Sequence, residues 1–363
     1  MDNIISLAQD LIEIDSRSAV SNLKLADRIE AELTGFEIER LDYQDAAGIP
    51  KRALVARRGS GGFAFSAHMD TVPELGWSRD PWAATIADGR LYGLGSTDMK
   101  GPLAICIATA QSLPSDIPIC LLFSADEEVT KQGARLIAET SRLARAYAPL
   151  GIVVAEPTGL APLRGHRSHI EFIATAYGVQ AHSSTGEGVN ANWQLVGFLA
   201  EMKALHDRLR TDATLQDDAY SPPFSDFNLT IDNHGTAVNI TVPRATVRIK
   251  YRYSARIDPK LVVSLVEAAA ARAGIAVETT YHGLPAELPA DHPLIRFAER
   301  LSGHSAGTGP FGTDAAMLQH LAPCVVMGPG DIADAHTPDE SVRIDDLLNG
   351  LQLFQTLARQ TQL

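Results

Sequence analysis

The amino-acid sequence predicts an α/β fold with a mostly parallel sheet, helices on both faces of that sheet, and an inserted α+β module. Short apolar runs alternate with helical patterns from the start of the chain to about residue 165. From 168 to 281, alternating strands are paired with long helices, and the α/β pattern then resumes. Residues 1–167 and 282–363 are therefore expected to form one catalytic domain, interrupted by residues 168–281.

In the first part, apolar runs at 62–67, 117–124 and 151–155 predict buried strands, because strands that are covered on both faces are continuously apolar. Helices are predicted at 102–113 and 133–146, each after a turn signal. This alternation is typical of parallel sheets whose strands are joined by helices.

In the middle part, a strand with alternating polarity is predicted at 169–177. The other elements predicted there are helices at 191–209 and 259–273 and strands at 227–232 and 245–254. The last part is predicted to contain helices at 293–302 and 314–321, a strand at 324–327 and a closing amphipathic helix.

The composition limits the classes of partner. The chain has 363 residues, 45% of them hydrophobic, and two domains are expected because single cores stop growing near about 250–300 residues. The net charge of −13 argues against nucleic acid and anionic membranes, since both bind basic patches. A charged substrate would need a local basic contact in this acidic protein.

The cysteines and the N-terminus predict a cytoplasmic protein. Cys106, Cys120 and Cys324 lie in apolar surroundings without metal-ligand spacing, which favours buried, reduced thiols. The N-terminal stretch has the pattern of an acidic amphipathic helix rather than a secretion signal. No run approaches the roughly 20 apolar residues of a membrane span.

Two histidines and three carboxylates lie at the ends of predicted strands or in the loops near them. They are His68, Asp98, Glu128, Glu156 and His336. A single histidine after a strand is more often a hydrogen-bonded or surface residue, and an aspartate in a glycine-rich loop is usually a turn residue. In open α/β sheets, however, ligands bind beyond the carboxyl ends of the strands, where four of these segments converge, and Asp98 lies in a glycine-rich loop just before a predicted helix. The series therefore predicts a site for two divalent metals.

Two further carboxylates are expected to have other tasks. Two divalent ions bring four positive charges, which three carboxylate ligands and one hydroxide would balance. Glu127 is then left over, and in an extended segment it would point away from Glu128 and reach the water as a general base. Asp70 is expected to hold the ring of His68 through its second nitrogen.

Taken together, the motifs resemble those of the co-catalytic zinc amidohydrolases and exopeptidases, a family that includes acetylornithine deacetylase, succinyl-diaminopimelate desuccinylase and the aminoacylases. The likeness covers nearly the whole chain. The segments that carry it are His68-Met69-Asp70-Thr71-Val72-Pro73, Tyr92-Gly93-Leu94-Gly95-Ser96-Thr97-Asp98-Met99-Lys100-Gly101 and Gly328-Pro329-Gly330-Asp331.

The resemblance implies a division of the ligands between two metals. His68 and Glu156 would hold one ion. Glu128 and His336 would hold the other, and Asp98 would bridge both. Zinc is the metal that the resemblance implies, with cobalt as the alternative.

The resemblance also implies that the inserted module is a lid and dimerisation domain, and hence that the protein is a homodimer. His182 would steady the oxyanion of the reaction, in its own or in the partner's active site. Asn239 and Arg252 would contact the substrate, Arg252 through a carboxylate that a guanidinium can bind with two hydrogen bonds. Gly312 and Thr313 would line the substrate pocket, although Thr313 or Asp314 is also a candidate helix cap.

The implied reaction is hydrolysis of an N-acyl amino acid, in which the metals polarise the acyl carbonyl and Glu127 transfers the proton of the water. Residues 156–167 and 328–336 are most similar to the acetylornithine deacetylase branch, which serves arginine biosynthesis. Acetylcitrulline deacetylase is very near in pattern. Further alternatives are the desuccinylase, a dimetal carboxypeptidase or dipeptidase, and a non-catalytic binding relative. The chain departs from the family's pattern at Ser168, Pro243 and 185–190. These departures leave the five predicted metal ligands intact and concern the identity of the substrate.

Overall fold

The computed structural model describes residues 2–360, and the chain divides into two compact units. The first unit contains the described residues up to Gly165, the segment Ala286–Thr308 and the residues from Thr313 onward. The second unit contains His166–Pro285 and Gly309–Gly312. Each unit has buried apolar clusters of its own.

Helices occur in both units. They are α1 (Asp2–Ile12), α2 (Leu23–Glu32), α3 (Lys100–Ser112), α4 (Gln132–Thr140), α5 (Arg142–Tyr147), α6 (Ala191–Thr211), α7 (Lys260–Ala273), α8 (Pro293–Ser302), α9 (Ala315–Leu318) and α10 (Ile344–Ala358). A short 3-10 helix spans Ala213–Leu215. Within residues 2–360, no helix combines the length and the apolar character that a membrane span requires.

Strands form three sheets in the described part of the chain. They are β1 (Glu37–Gln44), β2 (Pro50–Arg58), β3 (Phe63–His68), β4 (Thr85–Ala87), β5 (Arg90–Tyr92), β6 (Ile119–Ser124), β7 (Gly151–Pro157), β8 (Leu163–His166), β9 (Ser168–Tyr177), β10 (Asp226–Asp232), β11 (Arg244–Tyr253), β12 (Ala276–Tyr281), β13 (Gly307–Gly309), β14 (Cys324–Gly328) and β15 (Ser341–Arg343). The smallest sheet has the order β15-β5-β4.

The largest sheet has the order β1-β2-β6-β3-β7-β14-β8-β13. Its central strands β6, β3, β7 and β14 pair in parallel, whereas β1 with β2, β2 with β6, and β14 with β8 pair antiparallel. All residues of the four central strands are buried, as expected for strands covered on both faces. The prediction of a mostly parallel sheet is confirmed for these four central strands. The hairpin of β1 and β2 is not indicated by the sequence patterns, because β1 is rich in charged residues and nowhere buried.

Helices cover both faces of this sheet. Successive residues of a strand point to opposite sides, so Leu54 and Phe65 join one apolar cluster while Val55 and Ala64 join another. Buried residues of α1, α2, α3, α8 and α10 complete the first cluster, and those of α4, α5 and α9 complete the second. The predicted placement of helices on both faces is therefore confirmed.

Two predicted helices are shorter than expected. The helix predicted at 133–146 is divided into α4 and α5 at Ser141, whose Oγ accepts a hydrogen bond of 3.0 Å from the N–H of Ala144. Ser141 thus ends one helix and caps the next. The helix predicted at 314–321 ends at Leu318, because the N–H groups of His320 and Leu321 bond three residues back rather than four.

The second unit contains a four-stranded antiparallel sheet in the order β10-β11-β9-β12, on which α6 and α7 pack. Buried side chains recur every three or four residues along α6, from Ala191 and Leu195 to Leu209. The same periodicity places Trp193 and Val196 on the exposed side of the helix. This unit is an α+β structure.

Candidate metal centre

Ends of the central strands bring four of the five predicted ligands together, and a loop adds the fifth. His68 is the last residue of β3, and Glu156 lies one residue before the end of β7, so both belong to strands rather than to the loops after them. Glu128 lies in the turn after β6, and His336 in the loop after β14. Asp98 comes from the glycine-rich loop before α3. Because β3, β6, β7 and β14 are parallel, their carboxyl ends meet at one edge of the sheet.

The five side chains form two clusters that share Asp98. In one, ligand atoms of His68, Asp98 and Glu156 all lie within 4.8 Å of one another, and the same holds for Asp98, Glu128 and His336 in the other. His68 Nε2 lies 2.9 Å from Oδ1 of Asp98, whereas His336 Nε2 lies 3.3 Å from its Oδ2. The two oxygens of Asp98 therefore face different histidines.

Asp70 orients the ring of His68, but the predicted contact through its carboxylate is wrong. His68 Nδ1 lies 2.9 Å from the carbonyl oxygen of Asp70, whereas Oδ1 of Asp70 is 3.8 Å away. Because a carbonyl can only accept, Nδ1 carries a proton, and Nε2 is the nitrogen that can offer its lone pair to a metal. The donor set of imidazole and carboxylate groups thus fits two divalent metals of the zinc type.

The carboxylates of the centre are buried and repel one another, so the centre binds protons or cations readily. Burial and the charge of Asp98 raise the pKa of Glu156 well above its usual range, and burial raises the pKa of Glu128 to about 7. Hydrogen bonds to Asp98 and Glu128 raise the pKa of His336 to about 11. Burial acts to lower the pKa of His68, but its hydrogen bond to Asp98 outweighs burial and raises it. Divalent ions would stabilise these carboxylates without the need for protons.

After β6 the chain forms a tight turn, so the predicted extended arrangement of Glu127 and Glu128 is wrong. Asp126 has a φ of 62°, and its carbonyl oxygen accepts a hydrogen bond of 2.6 Å from the N–H of Lys131. The carboxylate of Asp70 accepts hydrogen bonds from the N–H groups of Glu127 (3.0 Å) and Glu128 (3.2 Å). Asp70 therefore positions both glutamates through its carboxylate and the imidazole through its carbonyl.

A buried lysine, which the sequence patterns do not indicate, contacts Glu127. Lys131 Nζ forms an ion pair with Oε1 of Glu127 and donates a hydrogen bond of 3.1 Å to its carbonyl oxygen. Burial acts to lower the pKa of Lys131, but the charges of Glu127 and Asp314 outweigh burial and raise it. Oε2 of Glu127 has no hydrogen-bond partner within the described residues.

A second buried lysine anchors the same turn. Lys51 Nζ lies 3.0 Å from Oδ1 of Asp126 and donates to the carbonyl oxygens of Ser18 (2.6 Å) and Val20 (2.8 Å). Tyr43 donates a hydrogen bond of 2.8 Å to Oδ2 of Asp126. The turn that carries both glutamates is thus held by a buried ion pair. A lysine beside the apolar run of β2 is the sequence signal that points to this pair.

Glu340 holds the loop that carries Asp98. Its carboxylate accepts hydrogen bonds of 2.9 Å from the backbone N–H groups of Gly95, Thr97 and Asp98. The residue is 1% exposed, and burial raises the pKa of its carboxyl to about 7. No sequence pattern separates Glu340 from an ordinary solvated loop glutamate, except that it follows His336 within the same short loop.

In the second unit, His182 and Asn239 are neighbours. Ser183 N–H donates a hydrogen bond of 3.0 Å to the carbonyl oxygen of Asn239, and His182 forms a β-bridge with Ile240. Both His182 and Asn239 are exposed. The Nδ1 of His182 lies 2.7 Å from Ser184 Oγ, and its Nε2 makes no hydrogen bond to any residue in the 2–360 range.

Arg252 has an acidic partner within the second unit. Its Nη1 donates a hydrogen bond of 2.6 Å to Oδ2 of Asp226, the residue opposite it in the β10–β11 pair. The Arg252 side chain is 33% exposed. Among the residues that the structure describes, its other N–H groups have no partner, so the guanidinium keeps donors for a second carboxylate.

The loop expected to line the substrate pocket contains a helix cap. Gly312 belongs to the second unit and Thr313 to the first. Thr313 is fully buried, and its Oγ1 accepts a hydrogen bond of 3.1 Å from the N–H of Ala315. Asp314 is the N-cap residue of α9, and the burial of Thr313 leaves its hydroxyl without exposed surface for a substrate.

Known proteins are similar to this sequence over most of its length. The profile of Peptidase family M20/M25/M40 matches residues 64–360. Acetylornithine deacetylase from Proteus mirabilis is 32% identical over 348 residues, a match that covers 92% of this chain and 88% of that protein.

Solved structures share the fold. An M20 family metallo-carboxypeptidase from Sulfolobus solfataricus superposes with a TM-score of 0.78 at 17% identity, covering 99% of each chain. A dinuclear metal-binding M20 peptidase from Bacillus subtilis gives a TM-score of 0.65 at 18% identity, covering 99% of this chain and 97% of that one. The chain therefore belongs to Peptidase family M20/M25/M40 and is a metal-dependent hydrolase of amide bonds.

Proposed function

We propose that this protein removes the acyl group from an N-acyl amino acid at a centre of two divalent metals. The observation that carries the proposal is the pair of ligand clusters that share Asp98. His68 and Glu156 would complete the site of one ion. Glu128 and His336 would complete the site of the other.

Zinc is the proposed metal, and cobalt is the alternative. Each ion would receive one imidazole nitrogen and carboxylate oxygens, a ligand set that zinc binds at about 2.0–2.2 Å. Two such ions would polarise the acyl carbonyl and make a water acidic enough to lose a proton near neutral pH. The dinuclear metal-binding peptidase from Bacillus subtilis, which has the same fold, supports a centre of two metals but does not identify either metal.

Glu127 is the proposed general base. It would accept the proton of the attacking water through Oε2, the oxygen without a protein partner in the described chain, and deliver that proton to the leaving amine. A general base of this kind contributes about 10²–10⁴-fold to the rate. Asp70 would keep Glu127 in place through the hydrogen bond of 3.0 Å from its N–H.

Residues of the second unit are proposed to bind the substrate. His182 would stabilise the tetrahedral oxyanion through Nε2, since Nδ1 already contacts a serine hydroxyl. Arg252 would bind the substrate carboxylate with the N–H groups that its acidic partner leaves free. Asn239 and Gly312 are proposed as further substrate contacts, while buried Thr313 would shape the loop that carries Gly312.

The proposed substrate is N-acetylornithine, in arginine biosynthesis. Support comes from the likeness to the Proteus mirabilis acetylornithine deacetylase over most of both chains. A substrate with a free α-carboxylate also matches the chemistry of the arginine in the second unit. The three cysteines are buried and free, which supports the proposed cytoplasmic location.

The second unit is further proposed to be a lid and a dimerisation domain. Trp193 is 74% exposed and Val196 is 55% exposed, and both lie on the outer side of α6. Strand β10 is at the edge of its sheet and offers unpaired backbone groups. Exposed apolar side chains and a free strand edge are each typical of a surface that pairs with another protein.

The test is amine release after the protein is loaded with zinc or cobalt. The compounds are N-acetylornithine, N-acetylcitrulline, N-succinyl-diaminopimelate, N-acetylmethionine and a dipeptide, with the Glu127→Gln variant as control for contaminating activity. We expect the highest kcat/KM with N-acetylornithine, by roughly tenfold or more, because a polar side chain is recognised by specific hydrogen bonds. Preference for the dipeptide, or no turnover of any N-acyl compound, would refute the proposal.

A further inference from the structure

A buried lysine lies against the proposed general base, and the function proposed above gives it no task. Lys131 ends the turn that begins at Asp126, with a φ of 56°. Its backbone N–H donates a hydrogen bond of 2.6 Å to the carbonyl oxygen of Asp126. The turn therefore brings the side chain of Lys131 back to Glu127, and α4 begins with the next residue.

Lys131 holds Glu127 at two atoms. Nζ donates a hydrogen bond of 3.1 Å to the carbonyl oxygen of Glu127 and forms an ion pair with Oε1. The two side chains are 9% and 8% exposed, so water competes little with the pair. The N–H of Glu127 is bound by Asp70. With these atoms held, Oε2 is the carboxylate oxygen that remains available to a reacting water.

The surroundings of the pair are rich in negative charge. Asp314 is fully buried, and its Oδ2 accepts a hydrogen bond from the hydroxyl of Ser124. Its Oδ1 has no hydrogen-bond partner in the described chain. The charges of Asp314 and Glu156 interact with Lys131 as well as with Glu127. Lys131 is the cation that contacts Glu127 in this region, and a buried ion pair is costly to break because the remaining charge is left uncompensated.

We propose that Lys131 is a positioning residue for the general base. It holds Oε1 of Glu127 in the ion pair, so that Oε2 is presented to the water. Lys131 itself transfers no proton and contacts no substrate. The inference rests on the proposed role of Glu127 as base.

The test compares Lys131→Met with Lys131→Arg, using the panel substrate with the highest kcat/KM. Methionine keeps the apolar stem but removes the charge, and we expect kcat to fall about 10- to 100-fold, part of what a general base contributes. KM and the two bound metals should be retained, and arginine should restore most of kcat. The matched control is Lys203→Met, because Lys203 also pairs with an acid four residues away in the sequence, Asp207, but is exposed. This control should leave kcat unchanged.

A double-mutant cycle separates positioning from a general structural role. If Lys131 acts through Glu127, Lys131→Met should cost nothing further in the Glu127→Gln background. Equal losses in both backgrounds, or a wild-type kcat for Lys131→Met, would overturn the inference. If Lys131→Met loses its metals, Lys131→Gln is compared in the same cycle and judged by the same outcomes.

The two proposals fail in different ways. Full turnover by Glu127→Gln would remove the general base and with it the proposed function. A Glu127→Gln variant with strongly reduced kcat, together with a fully active Lys131→Met, would remove only the positioning role of Lys131.

Discussion

Oε1 of Glu340 accepts a hydrogen bond of 2.9 Å from the backbone N–H of Asp98, the residue that both ligand clusters share. The same carboxylate accepts the N–H groups of Gly95 and Thr97. Hydrogen bonds to an ionised group are about twice as strong as neutral ones. The loop that carries Asp98 therefore depends on a residue near the other end of the chain.

Glu340→Ala is expected to weaken the binding of both metals, because Asp98 belongs to both clusters. It leaves three backbone N–H groups without their acceptor, and each such group costs about 1–3 kcal/mol when buried. Glu340→Gln keeps one acceptor oxygen and should lie between wild type and alanine. Metal content is measured after dialysis against graded chelator, with the exposed Glu37→Ala as control. Wild-type affinity for both metals in Glu340→Ala would contradict this view.

Metal binding is expected to release protons at pH 7. Hydrogen bonds to Asp98 and Glu128 raise the pKa of His336 to about 11, so this imidazole holds a proton at pH 7 that a metal must displace. About one proton or more should be released, and affinity should fall as the pH falls, because ligands bind metals in their deprotonated forms. Calorimetry in buffers with different ionisation enthalpies measures the release. An apparent binding enthalpy that does not depend on the buffer would show that no protons leave.

Lys51→Met is expected to destabilise the protein by about 3–5 kcal/mol, because it leaves the buried carboxylate of Asp126 without its cation. Urea unfolding measures the free energy. Lys203→Met removes an exposed ion pair and should change that free energy by less than about 1 kcal/mol. Combining Lys51→Met with Asp126→Asn should recover part of the loss. Equal free energies of unfolding for Lys51→Met and Lys203→Met would contradict the prediction, because burial of the ion pair would then not affect stability.

Arg252→Ala is expected to lower kcat/KM about 10- to 100-fold without loss of metal, since hydrogen bonds to a charged group are worth about 1.5–3 kcal/mol. The variant should also lose the distinction between N-acetylornithine and its α-amide, which lacks the carboxylate. The control is Arg248→Ala, because Arg248 lies on the same strand and pairs with Glu171 at the surface. If Arg252→Ala still discriminates between acid and amide, the carboxylate is bound elsewhere.

The wild-type protein is expected to sediment as a dimer, and Trp193→Glu combined with Val196→Glu should produce monomers. Two charges on the exposed apolar side of α6 would oppose burial of that surface against a second copy. Analytical ultracentrifugation measures the mass. Ile86→Glu changes an exposed apolar side chain of the first unit and should leave the dimer intact. A monomeric wild type would remove the dimer proposal.

The candidate ligands were accessible from the sequence because local patterns mark their positions. His68 and Glu156 end apolar runs, and Asp98 ends a glycine-rich loop. Parallel strands have their carboxyl ends on one edge, so the meeting of the ligands that follow strands could be inferred from the sequence. The turn at Glu127 and Glu128 could not, because a positive φ at Asp126 leaves no mark in the order of apolar and polar residues.

The sequence by itself determined the fold class, the family and the five candidate ligands, because apolar periodicity and short motifs record local burial and local backbone geometry. Only the tertiary structure decided which groups support the site. The hydrogen bond between Glu340 and Asp98 joins residues 242 positions apart. Lys131 is only four residues from Glu127, yet the ion pair between them depends on a turn that no sequence pattern predicts. A buried charge is stabilised by whatever partner the folded chain places within a few ångströms, and that choice exists only in three dimensions.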